Sequence, residues 1–106
     1  MQHREIAKLV IDFTAGLLVH PQMDGQLSYE YIYREASGLR WNKEKQALCA
    51  CEPSRWEHEE LLTNMASALR SCCDEKLCFT EKTERHGVSP ELRVRLLRVL
   101  SVTQSP

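Results

Sequence analysis

A stripe of apolar side chains in residues 54–73 constrains the fold of this chain more than any other feature of its sequence. The residues of the stripe recur every three or four positions, which is the period of one helix face. They are Leu61, Leu62, Met65, Ala66, Leu69, Cys72 and Cys73. The preceding Ser54-Arg55-Trp56-Glu57 has the form of a capping box, in which a serine and a glutamate satisfy free amides at a helix start. We therefore expect a helix that begins at Ser54 and buries one side in a core.

Two further helices are expected, one at each end of the chain. Residues 3–19 carry apolar side chains at spacings of three and four, and His20-Pro21 would end a helix there. Ser89-Pro90-Glu91 supplies a cap, a first-position proline and an acidic first-turn residue, so the last helix is expected to run to about Ser101. Residues 102–106 carry no pattern and are expected to fray.

The strand signals lie between these helices. In residues 27–34, Tyr29, Tyr31 and Tyr33 alternate as in a strand, and although a helical spacing also fits, the aromatic content favours the strand. Residues 39–41 and 46–51 flank a polar loop and predict a hairpin, and residues 77–80 predict another short strand. Residues 83–88 are polar, contain Gly87 and are expected to form a loop.

The order of these elements, α-β-β-β-α-β-α, predicts the α+β class. We expect a small antiparallel or mixed sheet of three to four strands, packed on one face by about three helices. The length of 106 residues suits one domain, and 42% hydrophobic with 27% charged residues is an ordinary globular composition.

The composition and the apolar stretches of the sequence indicate in which cellular compartment the protein is expected. The most apolar stretch, residues 9–19, is interrupted by Asp12 and is shorter than the ~20 residues of a membrane span. No leader-like segment is recognised, and five cysteines, an odd number, argue against a disulfide framework. We therefore expect a soluble cytoplasmic protein with reduced cysteines and no membrane contact.

The cysteines are the obvious candidates for chemistry. Cys49-x-Cys51, Cys72-Cys73 and Cys78 could together supply thiolates, but neither C-x-C nor C-C has the spacing of a zinc knuckle. No Ser-His-Asp pattern, paired catalytic carboxylates or glycine-rich phosphate loop accompanies them. The sequence therefore predicts no metal site, no cofactor and no catalytic residue, and it favours a protein that is not an enzyme.

The concentration of aromatic residues marks a candidate binding site. The residues proposed for an interface or a ligand pocket are Tyr29, Tyr31, Tyr33, Arg34, Arg40 and Trp41. Aromatic side chains with polar tips suit interfaces, and a tyrosine row on an uncovered sheet face would be hidden by a second copy of the chain. The leading hypothesis is a non-enzymatic regulatory or macromolecule-binding module that acts as a homodimer, with an unidentified protein as a further partner.

Two alternatives stay open. One is a small-ligand binder or small enzyme whose aromatic pocket lies between sheet and helices. The other is a regulator that binds a polyanion or nucleic acid through Arg93, Arg95 and Arg98 on the last helix. Nucleic acid ranks third because the net charge is −1 and residues 80–106 contain no aromatic residue for base stacking. The commoner role of such arginines is a solvated face that pairs with the protein's own glutamates.

Overall fold

A computed structural model describes residues 2–12, 16–22, 29, 38–52 and 57–103 of the chain. Within these residues the chain forms six strands and two helices. The elements are β1 (Gln2–Asp12), β2 (Gly16–Pro21), β3 (Leu39–Asn42), β4 (Ala47–Ala50), α1 (His58–Cys73), β5 (Glu75–Cys78), β6 (Glu84–His86) and α2 (Pro90–Thr103). The α+β class is confirmed. The predicted numbers of three to four strands and about three helices were wrong.

The helix predicted over residues 3–19 is wrong, because this segment forms the antiparallel pair of β1 and β2. Leu9 lies opposite Val19 and Ile11 opposite Leu17, so an alternating set of side chains faces the core. A β-bulge between Ile6 and Lys8 inserts one extra residue in β1 and turns both Ile6 and Leu9 inward. That bulge produces the three-residue apolar spacing that resembles a helix.

β1 lies inside a mixed sheet. The strand order is β3-β4-β2-β1-β5, and β6 also pairs with β1. β5 runs parallel to residues 2–5 of β1 and β6 parallel to residues 8–10, so the two short strands follow one another along the same edge. The predicted hairpin of β3 and β4 is confirmed. A strand is also present near the predicted residues 77–80, but it begins two residues earlier and covers Glu75–Cys78. The loop predicted over residues 83–88 is corrected, because it contains β6.

A side chain bridges the break between β5 and β6. The Thr83 hydroxyl donates a hydrogen bond to the Ile6 carbonyl at 2.6 Å and accepts one from the Thr80 amide at 3.0 Å. Thr83 is only 4% exposed. Its hydroxyl thus satisfies a β1 carbonyl at the level of the bulge, where no backbone amide of β5 or β6 pairs with it.

The two helices differ in how they begin. α1 begins at His58 with Glu57 in the cap position and no side-chain cap, so Glu57 does not take the third helical position that the predicted capping box requires. Ser54 and most of residues 27–34, predicted as a strand, lie outside the described residues. α2 begins as predicted, since the Ser89 hydroxyl accepts the Leu92 amide hydrogen at 3.1 Å, and it extends to Thr103.

The main core lies between the sheet and the helices. Its largest fully buried side chains are Ile6, Leu9, Leu17, Leu39, Leu48, Leu61, Leu62, Met65, Leu69, Leu77 and Leu96. Each contributes roughly 1.5–3 kcal/mol of transfer free energy to folding. α2 packs against α1 and adds Leu92 and Leu100 to this cluster. No helix in the described part of the chain is long and apolar enough to cross a membrane.

Gly87, which links β6 to α2, should be intolerant of a side chain. Its φ is +75°, and an added Cβ would lie 2.9 Å from the Ile11 carbonyl oxygen. We expect Gly87→Ala to lower the free energy of unfolding by about 1–3 kcal/mol in urea titrations. Ser67→Ala, at an exposed position of α1, is the control and should change it by less than about 0.5 kcal/mol. Equal stability of the Gly87 variant and the wild type would contradict this role.

Candidate functional site

A buried polar network joins three distant parts of the chain at one end of the sheet. The Arg4 guanidinium donates from Nε and Nη2 to Glu75 Oε2, at 3.1 and 2.6 Å. The Tyr29 hydroxyl donates to Glu75 Oε1 at 2.6 Å, and Arg4 Nη1 donates to the Gln22 carbonyl at 2.9 Å. Arg4, Glu75 and Tyr29 are each at most 9% exposed.

The sheet positions this network. β1 and β5 run parallel with Arg4 beside Leu77, and this register brings Arg4 and Glu75 to the core face together. Glu75 follows the left-handed cap residue Asp74, which ends α1 and turns the chain directly into β5. Burial, and then the hydrogen bond and charge of Glu75, raise the pKa of Tyr29, so that its hydroxyl stays protonated and donates at neutral pH. The network is organised to hold the fold, since both carboxylate oxygens of Glu75 already have donors.

The structure places the residues proposed for an aromatic interface or pocket in different environments. The Tyr29 and Trp41 rings meet edge to face, with centroids 5.3 Å apart and planes at 69°. Tyr29 is buried in the main core, and the partly buried Trp41 packs against it. Arg40 precedes Trp41 in β3 and lies exposed on the opposite sheet face, next to Cys49 of β4. Tyr31, Tyr33 and Arg34 lie outside the described residues. The described aromatic side chains thus serve packing, and the use of the whole set as an interface or pocket stays a prediction.

The arginines of α2 are all exposed but not equivalent. Arg95 Nε lies 3.2 Å from Glu59 Oε1 on α1, and the two side chains are 57% and 37% exposed. An ion pair so open to solvent contributes at most about 1 kcal/mol. Arg93 and Arg98 form no ion pair within the ranges that the structure describes. Two of the three predicted anion-binding residues therefore have no ion-pair partner among the described residues.

The outer side of α2 also exposes apolar side chains that the sequence analysis missed. Val94 is 55% and Leu97 37% exposed, and they are the exposed large hydrophobic residues of the described chain. They lie one helical turn apart, opposite the buried Leu92 and Leu96. The sequence signal for their exposure was that both residues lie outside the apolar stripe by which α2 packs inward.

A second missed feature lies on the sheet face opposite the main core. Lys8 of β1 lies beside His20 of β2, and Lys45 and His86 approach the same histidine. Burial lowers the pKa of His20, and the neighbouring charges of Lys8, Lys45 and His86 lower it further, although a backbone hydrogen bond with Lys45 opposes this. We call Lys8, His20, Lys45 and His86 the basic cluster. Only the strand register brings these residues together, so sequence spacing could not reveal them.

The described cysteines are not gathered into a metal-binding group. Cys49, Cys51, Cys73 and Cys78 are free thiols, and the described residues contain no group of three potential metal-binding side chains. Cys49 is buried, and its burial raises its thiol pKa even though Arg40 opposes the shift. Burial likewise raises the pKa of Cys78. Neither thiol is activated as a nucleophile.

Comparison with known proteins gives little further guidance. No family model matches the chain, and no curated protein matches it. Among solved structures, the chain is similar to Hfx_Cass5, an integron cassette protein from the mobile metagenome of the North West Arm Sewage Outfall. The match has 29% sequence identity, covers 95% of this chain and 98% of that one, and has a TM-score of 0.41. At this TM-score the similarity does not indicate a shared function. The class is therefore defined by the structure alone, as a small α+β domain with a mixed sheet.

The hydroxyl of Tyr29 should matter more to stability than an ordinary hydroxyl. Tyr29→Phe removes the donor to buried Glu75 Oε1, so we expect the free energy of unfolding to fall by about 1–3 kcal/mol in urea titrations. Thr63→Val is the matched control, because the Thr63 hydroxyl donates to the Glu59 carbonyl on the half-buried side of α1. A loss no larger than that of the control would show that Tyr29 acts through its ring alone.

The same network predicts a pH dependence. The folded state raises the pKa of Tyr29 above its ordinary value of 10.0, so its contribution is complete below pH 10 and is lost as the pH rises further. As the pH rises above about 10, wild-type stability should therefore fall more steeply than that of Tyr29→Phe. Parallel stability profiles of the two proteins would contradict the assigned coupling.

Proposed function

We propose that this protein is a non-enzymatic interaction module that forms a homodimer through the outer face of α2. The outer face consists of Val94 and Leu97 with Glu91 and Arg98 beside them. The observation that carries the proposal is the exposure of the two apolar side chains, since the other large hydrophobic residues of the described chain are at least partly buried. Neighbouring apolar residues left exposed on a helix are typical of contact surfaces.

The outer face is complementary to a second copy of itself. Glu91 and Arg98 are seven residues apart and therefore lie on the same flank of the helix, two turns from each other. In an antiparallel pair of α2 helices, Glu91 of each copy lies near Arg98 of the other, while Val94 and Leu97 meet in the centre. Neither Glu91 nor Arg98 has an ion-pair partner among the described residues of its own chain. A two-fold pair would satisfy both charges twice.

The small size of this face sets the expected strength. A single helix pair with two apolar residues from each copy buries much less than the roughly 1,600 Å² of a standard stable interface. We expect a weak, concentration-dependent dimer. This assignment moves the interface from the aromatic sheet surface of the sequence hypothesis to the last helix, because Tyr29 and Trp41 pack into the core.

Placing a charge in the centre of the outer face should abolish dimerisation. We expect Val94→Asp and Leu97→Asp to remain monomeric at concentrations where the wild type dimerises, measured by sedimentation velocity across a concentration series. Ser67→Asp is the matched control, because it adds the same charge at an exposed position of α1. A monomeric wild type at every concentration would overturn the proposal.

Charge exchange tests the antiparallel orientation. Arg98→Glu and Glu91→Arg each replace two attractive pairs per dimer with repulsive ones, so each should weaken dimerisation by roughly tenfold. The double variant restores opposite charges and should recover the wild-type dissociation constant. If the double variant dimerises no more tightly than the single variants, this orientation is ruled out.

A further inference from the structure

The basic cluster lies on the sheet face that α1 does not cover. Leu9 and Val19 point to the main core, so their strand neighbours Lys8 and His20 point to the opposite side. Val19 pairs with Leu48, which places Ala47 beside His20 and brings the turn that carries Lys45 to the same place. β6 adds His86 beside Val10 on the other edge of β1. The cluster thus spans three adjacent strands and the turn between β3 and β4.

The floor of the cluster is closely packed. Leu18, Ala47 and Cys49 are buried on this face, and Val10 packs against them. Lys8 and His20 are half-buried, whereas Lys45 and His86 are exposed. The floor therefore fixes the backbone positions of the residues that carry the cluster.

Within the described residues, the positive charge of the cluster has no ion-pair partner. Lys8, Lys45 and His86 form no ion pair in the described residues. Glu84 lies beside Lys8 in the parallel register, but it is exposed and also forms no ion pair there. Positively charged side chains that converge on one face favour the binding of an anion there.

We infer that the basic cluster is a binding site for a phosphate group, with Lys8 and Lys45 as cationic donors and His20 as the central hydrogen-bond donor. Adjacent strands lie about 4.8 Å apart, so the long side chains of β1 and of the turn before β4 can converge over His20 on β2. A compact anion with several oxygens can accept from all three side chains. Glu84 on one side and apolar Val10 on another limit the site to a single phosphate group rather than an extended polyanion.

Binding should depend on pH through His20. The groups around this histidine are Lys8 on β1, Lys45 in the turn, Ala47 and Cys49 on β4, and Glu84 and His86 on β6. Burial and the neighbouring Lys8 disfavour the imidazolium of His20, and a bound anion favours it. Phosphate should therefore raise the pKa of His20.

The test is an NMR titration of the histidine ring protons with sodium phosphate at constant ionic strength, with chloride as the balancing anion. We expect a saturable shift of His20 and an increase of its pKa by roughly half a unit or more. His3, about 15 Å away along β1, is the internal control and should not respond. Lys8→Gln and Lys45→Gln should each weaken binding at least several-fold, while Lys82→Gln, in an exposed turn, should bind as the wild type does.

Two further arms identify the source of the phosphate. An alkyl phosphate monoester should bind as inorganic phosphate does or more tightly, whereas a single-stranded oligonucleotide should bind no more tightly per phosphate. An oligonucleotide that binds when neither small phosphate shifts His20 would overturn the proposal in favour of a nucleic-acid surface. A response to phosphate that is equal in wild type and Lys8→Gln, or that chloride reproduces, would overturn it as well.

Discussion

The backbone hydrogen bonding of β1 is the interaction on which the rest of the structure depends. This strand pairs with β2 along one side and with β5 and then β6 along the other. It therefore fixes where α1 returns to the sheet and where α2 leaves it. The buried Arg4–Glu75 ion pair is part of the same arrangement, because Arg4 lies on β1 and Glu75 opens β5. Breaking such a pair leaves a buried charge without compensation, which costs more than the pair itself contributes.

Local patterns in the sequence predicted the parts of the fold whose contacts are local. The hairpin of β3 and β4, most of α1 and the capped start of α2 follow from turn residues, periodicity and caps near one another in the chain. The N-terminal segment was predicted wrongly because the β-bulge at Ile6–Lys8 produces a helical spacing in a strand. β6 was missed because Glu84, Arg85 and His86 carry no strand pattern, and their pairing depends on β1, more than seventy residues earlier.

The candidate sites show the same division. The arginines of α2 were predicted from local spacing, and their exposure agrees with a solvated helix face. By contrast, the Arg4–Glu75–Tyr29 network joins residues up to 71 positions apart, and the basic cluster exists only through the register of β1, β2 and β6. Charged residues that are separate in the sequence become neighbours when strands pair. The register of these strands cannot be derived from the spacing of residues in a single sequence.

The break between β5 and β6 has a consequence for how the sheet meets other chains. A long outer strand offers a continuous row of free amides and carbonyls, which invites another strand to join and is a common start of aggregation. Here the outer edge beside β1 consists of strands of four and three residues, separated by the segment that carries Thr83. Neither piece is long enough to template a stable additional strand. The short strands thus make this edge of the sheet a poor template for an added strand.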